Sequence, residues 1–165
     1  HLPFRHHEKF DIIYAGNLFH HVDIPLSMKS ILSHMNRDSI LVCWEPVRYN
    51  PVINIYRKIA TRVRSYGERP LGLSEIQYMK KFFKESRVQW FWLTSLILFV
   101  YMFCIERRNP NKERFWKSIV KEGPQRAWAY TPLAAIDRAL LTLFPFLKPL
   151  CWNVVIYLKN PHETR

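Results

Sequence analysis

Two short apolar runs flank a single helical stripe near the start of the chain, and this pattern narrows the possible folds more than any other feature. Phe10-Asp11-Ile12-Ile13-Tyr14-Ala15 is nearly continuous and stops at Gly16-Asn17. Ser39-Ile40-Leu41-Val42-Cys43-Trp44 repeats the pattern. Runs of this kind, without polar alternation, suit strands buried on both faces of a parallel sheet. Between them Met28, Ile31, Leu32 and Met35 fall at i, i+3, i+4 and i+7, the spacing of one helix face. Ser27 is the expected N-cap and Asn36-Arg37-Asp38 the expected turn. Strand, helix and strand in so short a span predict a βαβ unit with a right-handed crossover.

The rest of the chain reads as helices and two further strands. Asn50 caps a helix with Pro51 at its first position. Val52, Ile53, Tyr56, Ile59, Ala60 and Val63 make its apolar face, Arg57, Lys58, Arg62 and Arg64 its basic side, and Gly67 its end. Ser74 and Gln77 form a capping box for the next helix, with Leu73 stapled onto Tyr78 and Ile76, Met79 and Phe83 inward. Val88–Ile105 is free of charge over 18 residues. It is either a marginal membrane span or a strand, Val88 to about Ser95, leading into a buried helix. Glu106–Arg126 reads as a polar helix with Phe115, Trp116 and Ile119 inward. Leu133–Leu143 reads as an apolar helix broken at Pro145 and Pro149, and Trp152–Leu158 as a last strand.

Length and charge bound the partners. The 165 residues fit one domain, and 48% apolar content supports a core. The net charge of +12 suits nucleic acid, an anionic membrane or an acidic substrate, or else simply a solubilising surface. Nucleic acid is not expected, because the basic residues interleave with apolar helix faces and no binding motif for it is visible. Cys43, Cys104 and Cys151 are too sparse for a disulfide framework and read as small buried side chains in a reducing cytoplasm. No signal peptide is visible.

Taken together, His1-Leu2-Pro3-Phe4, Lys9-Phe10-Asp11-Ile12-Ile13-Tyr14-Ala15 and Gly16-Asn17-Leu18-Phe19-His20-His21-Val22, followed by Glu45-Pro46, resemble the middle of a class I S-adenosylmethionine-dependent methyltransferase. The likeness is to bacterial, type 11-like members of that family. It implies an α/β fold: the C-terminal half of a Rossmann-like sheet, strands four to seven, the last antiparallel, with a helical insert between the final two. Within one partial domain the resemblance sets residues 1–48 as the βαβ core, 49–87 as basic helices, 88–150 as apolar strand and insert, and 151–165 as last strand and tail. The family's Gly-rich loop and its two acidic cofactor positions have no counterpart here. Gly16, Gly67, Gly72 and Gly123 are scattered and form no phosphate- or nucleotide-cradling turn. The expectation is therefore a chain that lacks the N-terminal half of its own domain and leaves an apolar sheet edge open.

The resemblance implies S-adenosylmethionine as cofactor, its methionine end lined by Leu2, Ala15, Gly16 and Asn17. Gly16-Asn17 is also ordinary turn chemistry. His20 and His21 are the candidate bases, since histidine titrates near neutrality; the plainer alternative is one solvated and one packed imidazole. Glu45 either holds or deprotonates an acceptor, or caps and pairs within the fold. Adjacent histidines with no third ligand nearby in sequence do not predict a metal site, and no nucleophile elbow or Cys–His pair argues for hydrolysis. The expected reaction is methyl transfer to a small or lipid-like acceptor. The alternative is a basic membrane-surface module without chemistry. Either is expected in the cytoplasm, attached peripherally to the inner face of the membrane through the basic 50–67 helix and the apolar 88–105 and 140–150 segments; the plainer alternative is that these apolar runs form the core beneath the helical insert.

Overall fold

A computed structural model describes residues 8–62 and 67–162. The chain divides into two compact units. The first comprises residues 1–47, 69–89 and 153–165, and the second residues 48–68 and 90–152. The expected Leu2 contact with the cofactor lies outside the described residues.

In the first unit, β1 (Phe10–Gly16) is followed by a 3-10 turn (Phe19–His21), α1 (Ile24–Ser33) and β2 (Met35–Pro46). β1 and β2 pair in parallel, with Ile13 opposite Leu41 and Ala15 opposite Cys43. The helix starts earlier than its apolar stripe suggests. Asp23, not Ser27, is the cap and accepts from Leu26 N–H at 2.8 Å, while Pro25 sits in the first turn where its missing N–H costs nothing. Met28 and Ile31 are buried as the stripe requires, but Met35 already belongs to β2.

The turn expected at Asn36-Arg37-Asp38 is a bulge inside β2. Pairing steps from Phe10–Met35 to Ile12–Ile40, so three extra residues bulge from β2. Ser39 stabilises the irregularity, its hydroxyl accepting from Asn36 N–H and donating to Phe10 O, both at 2.7 Å. A turn signal and a bulge signal use the same residue types, and only the neighbouring strand separates them.

After residues 48–68, which belong to the second unit and contain α2 (Pro51–Ile59), the first unit resumes with α3 (Leu73–Lys80) and β3 (Phe83–Phe91), then β4 (Asn153–Pro161). The capping box expected at Ser74 and Gln77 is shifted: Glu75 reaches back to Gly72 N–H at 3.0 Å. β3 begins five residues before the expected strand and ends at Phe91. The sheet order is β1-β2-β4-β3. β4 runs antiparallel to β2, with Leu41 opposite Leu158 and Glu45 opposite Val154. The start of β3 lies at the end of β4, where His162 N–H donates to Phe82 O at 2.8 Å, so these two are antiparallel as well.

One sheet face is buried through Leu41, Cys43, Val154, Ile156 and Leu158. The other is not: Ile12 and Tyr14 are 66% and 65% exposed, and Val42, Trp44 and Tyr157 are half-buried. The expectation of strands buried on both faces is corrected accordingly. The first strand is also an edge of the sheet.

The second unit contains α2 (Pro51–Ile59), a 3-10 turn (Thr94–Leu96), α4 (Ile97–Cys104), α5 (Phe115–Lys121), α6 (Gly123–Leu143) and a 3-10 segment (Pro145–Leu150). Asn50 caps α2 as expected, accepting from Ile53 N–H at 3.0 Å, but the helix ends at Ile59, well short of Gly67. Ile53, Leu96, Phe99, Met102, Phe115 and Trp152 form the core of this unit, with Phe99 edge-to-face against Phe115, Trp152 and the partly buried Tyr56. The uncharged 88–105 run is divided among a strand, a turn and an eight-residue helix, and among the described residues no helix is long and apolar enough to cross a membrane. The helix expected at Leu133–Leu143 is the second half of a 21-residue helix with Pro132 inside it.

Candidate functional site

The carboxyl ends of two adjacent parallel strands are where α/β sheets usually place ligand groups, and here both carry expected site residues. β1 ends at Gly16. Asn17 follows in the left-handed region (φ 54°), a conformation asparagine tolerates better than most residues. Its N–H donates to Trp44 O at 2.7 Å, extending the parallel ladder by one residue before the chain turns. Ala15 is buried, Gly16 exposed and Asn17 half-buried. A Cβ on Gly16 would meet the Tyr14 ring, so glycine keeps this corner clear.

The 3-10 turn at Phe19–His21 opens without a capping side chain of its own. The orphan donors are served from the next strand. Glu45, near the end of β2 and fully buried, accepts from Leu18 N–H at 2.7 Å and Phe19 N–H at 2.8 Å through Oε1. Its other oxygen, Oε2, lies 2.7 Å from His20 Nδ1. A carboxylate only accepts, so His20 Nδ1 carries the proton and Nε2 is left as the basic nitrogen. His20 O in turn accepts from Arg69 N–H at 2.8 Å. The imidazole is thus held at both its ring and its backbone.

His21 stacks beside it, ring centroids 4.0 Å apart and tilted 41°, but is exposed. The structure therefore separates the two histidines into one fixed and one solvated ring. Glu45 takes up the capping and pairing arrangement, with both oxygens engaged inside the fold. The fully buried Phe19 wedges the turn onto the sheet, which is worth roughly 2–3 kcal/mol. Two residues before Glu45, burial pushes the Cys43 thiol far above its ordinary range, and the carboxylate adds to the effect.

Sequence reasoning named Asn17, His20 and Glu45 but missed the backbone donors of Leu18 and Phe19, which carry no side-chain signal. A separate groove of about 490 Å³ on the open sheet face is lined by Val42, Glu85, Arg87, Gln89, Tyr157 and Lys159 among others, and none of the candidate residues borders it.

Site and fold define a mixed α/β protein with a four-stranded sheet and a histidine–carboxylate pair at its strand ends. No protein-family model matches the chain, and no curated protein matches it. Among solved structures, a candidate O-methyltransferase from Nostoc punctiforme PCC 73102 superposes with a TM-score of 0.35 at 15% identity, covering 50% of this chain. The match spans 28% of that protein, less than a third of its length.

Proposed function

We propose that this chain supplies the acceptor side of an S-adenosylmethionine-dependent methyltransferase of the class I type, acting on a small or lipid-like molecule with an O–H or N–H group. The observation that carries the reading is the convergence of Asn17 and the Glu45-held His20 at the carboxyl ends of β1 and β2. The sheet order, with an antiparallel last strand, supports it, as does the motif resemblance over residues 2–46.

The open Gly16–Asn17 corner fits the methionine end of the cofactor. No glycine-rich turn among the described residues fits its nucleotide end, which the reading assigns to sequence outside residues 1–165. The bound cofactor supplies an electrophilic methyl group. His20 accepts the acceptor's proton at Nε2, and the imidazolium that forms is stabilised by Glu45 at Nδ1. Asn17 orients polar groups at the strand end. Glu45 is a positioning residue, because its oxygens are already engaged. Much of the acceleration in such a site comes from alignment. The proposed setting is the cytoplasm, in keeping with three unpaired thiols.

The test is methyl transfer by the product of the whole open reading frame. His20→Ala should lower turnover by roughly 10²–10⁴-fold. Asn17→Gly, which keeps the left-handed backbone at this position, should lower turnover with the melting temperature nearly unchanged. Wild-type rates in both variants would place the chemistry elsewhere.

A further inference from the structure

α6 is built inside out. A helix on a protein surface normally buries its apolar stripe and shows its charges to water. Here the buried residues of α6 are Arg126 and Asp137. Arg126 binds Glu106 and Glu122, and Asp137 accepts from Thr94 N–H and from the Thr94 and Ser95 hydroxyls at 2.6–2.8 Å. Outward stand Trp128, Pro132, Ile136, Ala139 and Leu143, all within one stripe about 100° wide at helical spacing. Trp128 is 74% and Leu143 71% exposed. The stripe runs on into Phe144 and Phe146, an edge-to-face pair of which Phe146 is 74% exposed. Between Ala127 and Leu147 the charged residues are Asp137, which is engaged inward, and Arg138. The core of the second unit does not need this face, since Ala129, Tyr130 and Leu133 already turn toward it.

We propose that this face docks on an anionic lipid surface, with α6 lying in the interfacial plane. Charge selects that occupant. The second unit has fourteen Lys or Arg against five Asp or Glu, a net of +9 of the chain's +12. A second copy would bring a further +9 against the first, whereas an anionic leaflet complements it at about 1 kcal/mol per basic residue near the surface. A helix about 30 Å long with an apolar, aromatic-ended face suits such a plane. The inference rests on exposure and charge alone and is independent of the methyl-transfer reading.

Flotation of the full chain with phosphatidylcholine vesicles, with and without about a third phosphatidylserine, tests it. Binding is expected to the anionic vesicles only and to fall in high salt. Replacing the exposed residues together (Trp128→Ser, Leu143→Ser, Phe146→Ser) should weaken it about tenfold or more while circular dichroism stays unchanged. No binding by the wild-type chain overturns the proposal, as does binding that the triple variant leaves intact, which would assign it to basic residues elsewhere. A self-associated species that the triple variant dissolves, with no vesicle binding, would make the face an interface between copies.

Discussion

Glu45 Oε2 lies 2.7 Å from His20 Nδ1 while Oε1 accepts from two backbone N–H groups of the turn that carries His20. One buried carboxylate therefore shapes the turn and sets the tautomer of its histidine. Removing it leaves the buried Phe19 amide, the partly buried Leu18 amide and a buried imidazole N–H without this partner. Glu45→Ala should cost about 3–5 kcal/mol of stability, read from urea unfolding. Glu45→Gln keeps an acceptor and should cost less. Equal, small losses in both would mean that solvent replaces the carboxylate and that the turn is not buried.

Residues 1–165 alone should show no appreciable heat on titration with S-adenosylmethionine. The proposed function puts only the methionine end of the cofactor at Ala15, Gly16 and Asn17. Micromolar affinity for the isolated chain would show instead a complete cofactor site within it.

Thiol labelling should count one cysteine. Cys104 is exposed, against the expectation that all three are buried, whereas Cys43 and Cys151 are fully enclosed. Burial pushes the Cys151 thiol up to about 12, with Asp137 adding to it, and Cys43 higher still. The thiolate is the reactive form, so native protein should react at one equivalent and denatured protein at three. Fast reaction of a second thiol in native protein would show an opening not seen here.

The second unit should lose stability in acid. Arg126 hydrogen-bonds Glu106, and Arg108 hydrogen-bonds Glu122, holding both carboxyls below their ordinary range. A depressed carboxyl stabilises the fold above its unfolded pKa, roughly 4.3, and that gain fades as pH falls through the lower folded value. The thermal midpoint should drop below about pH 4, and the drop should be shallower in Arg126→Met. Identical slopes in the variant and the wild type would exclude this network as the cause.

The local chemistry of the chain was enough for β1, α1 and the body of β2, for the Asn50 cap with Pro51 behind it, and for the last strand. Each is announced by neighbours in sequence, through periodicity, a capping oxygen or a ring that presets φ. Tertiary structure alone decided the rest. The polar triplet at residues 36–38 becomes a bulge only because β1 runs alongside it. Glu45 becomes a cap because its partners stand 25 to 27 residues away, at the end of a different strand. Leu133–Leu143 reads as an apolar helix from its composition, and the folded helix that contains it turns Arg126 and Asp137 inward and leaves Trp128 and Leu143 outside. Periodicity specifies that a helix has an apolar face. What that face meets depends on whether distant segments need its charges more than its hydrocarbon, and in α6 they need the charges.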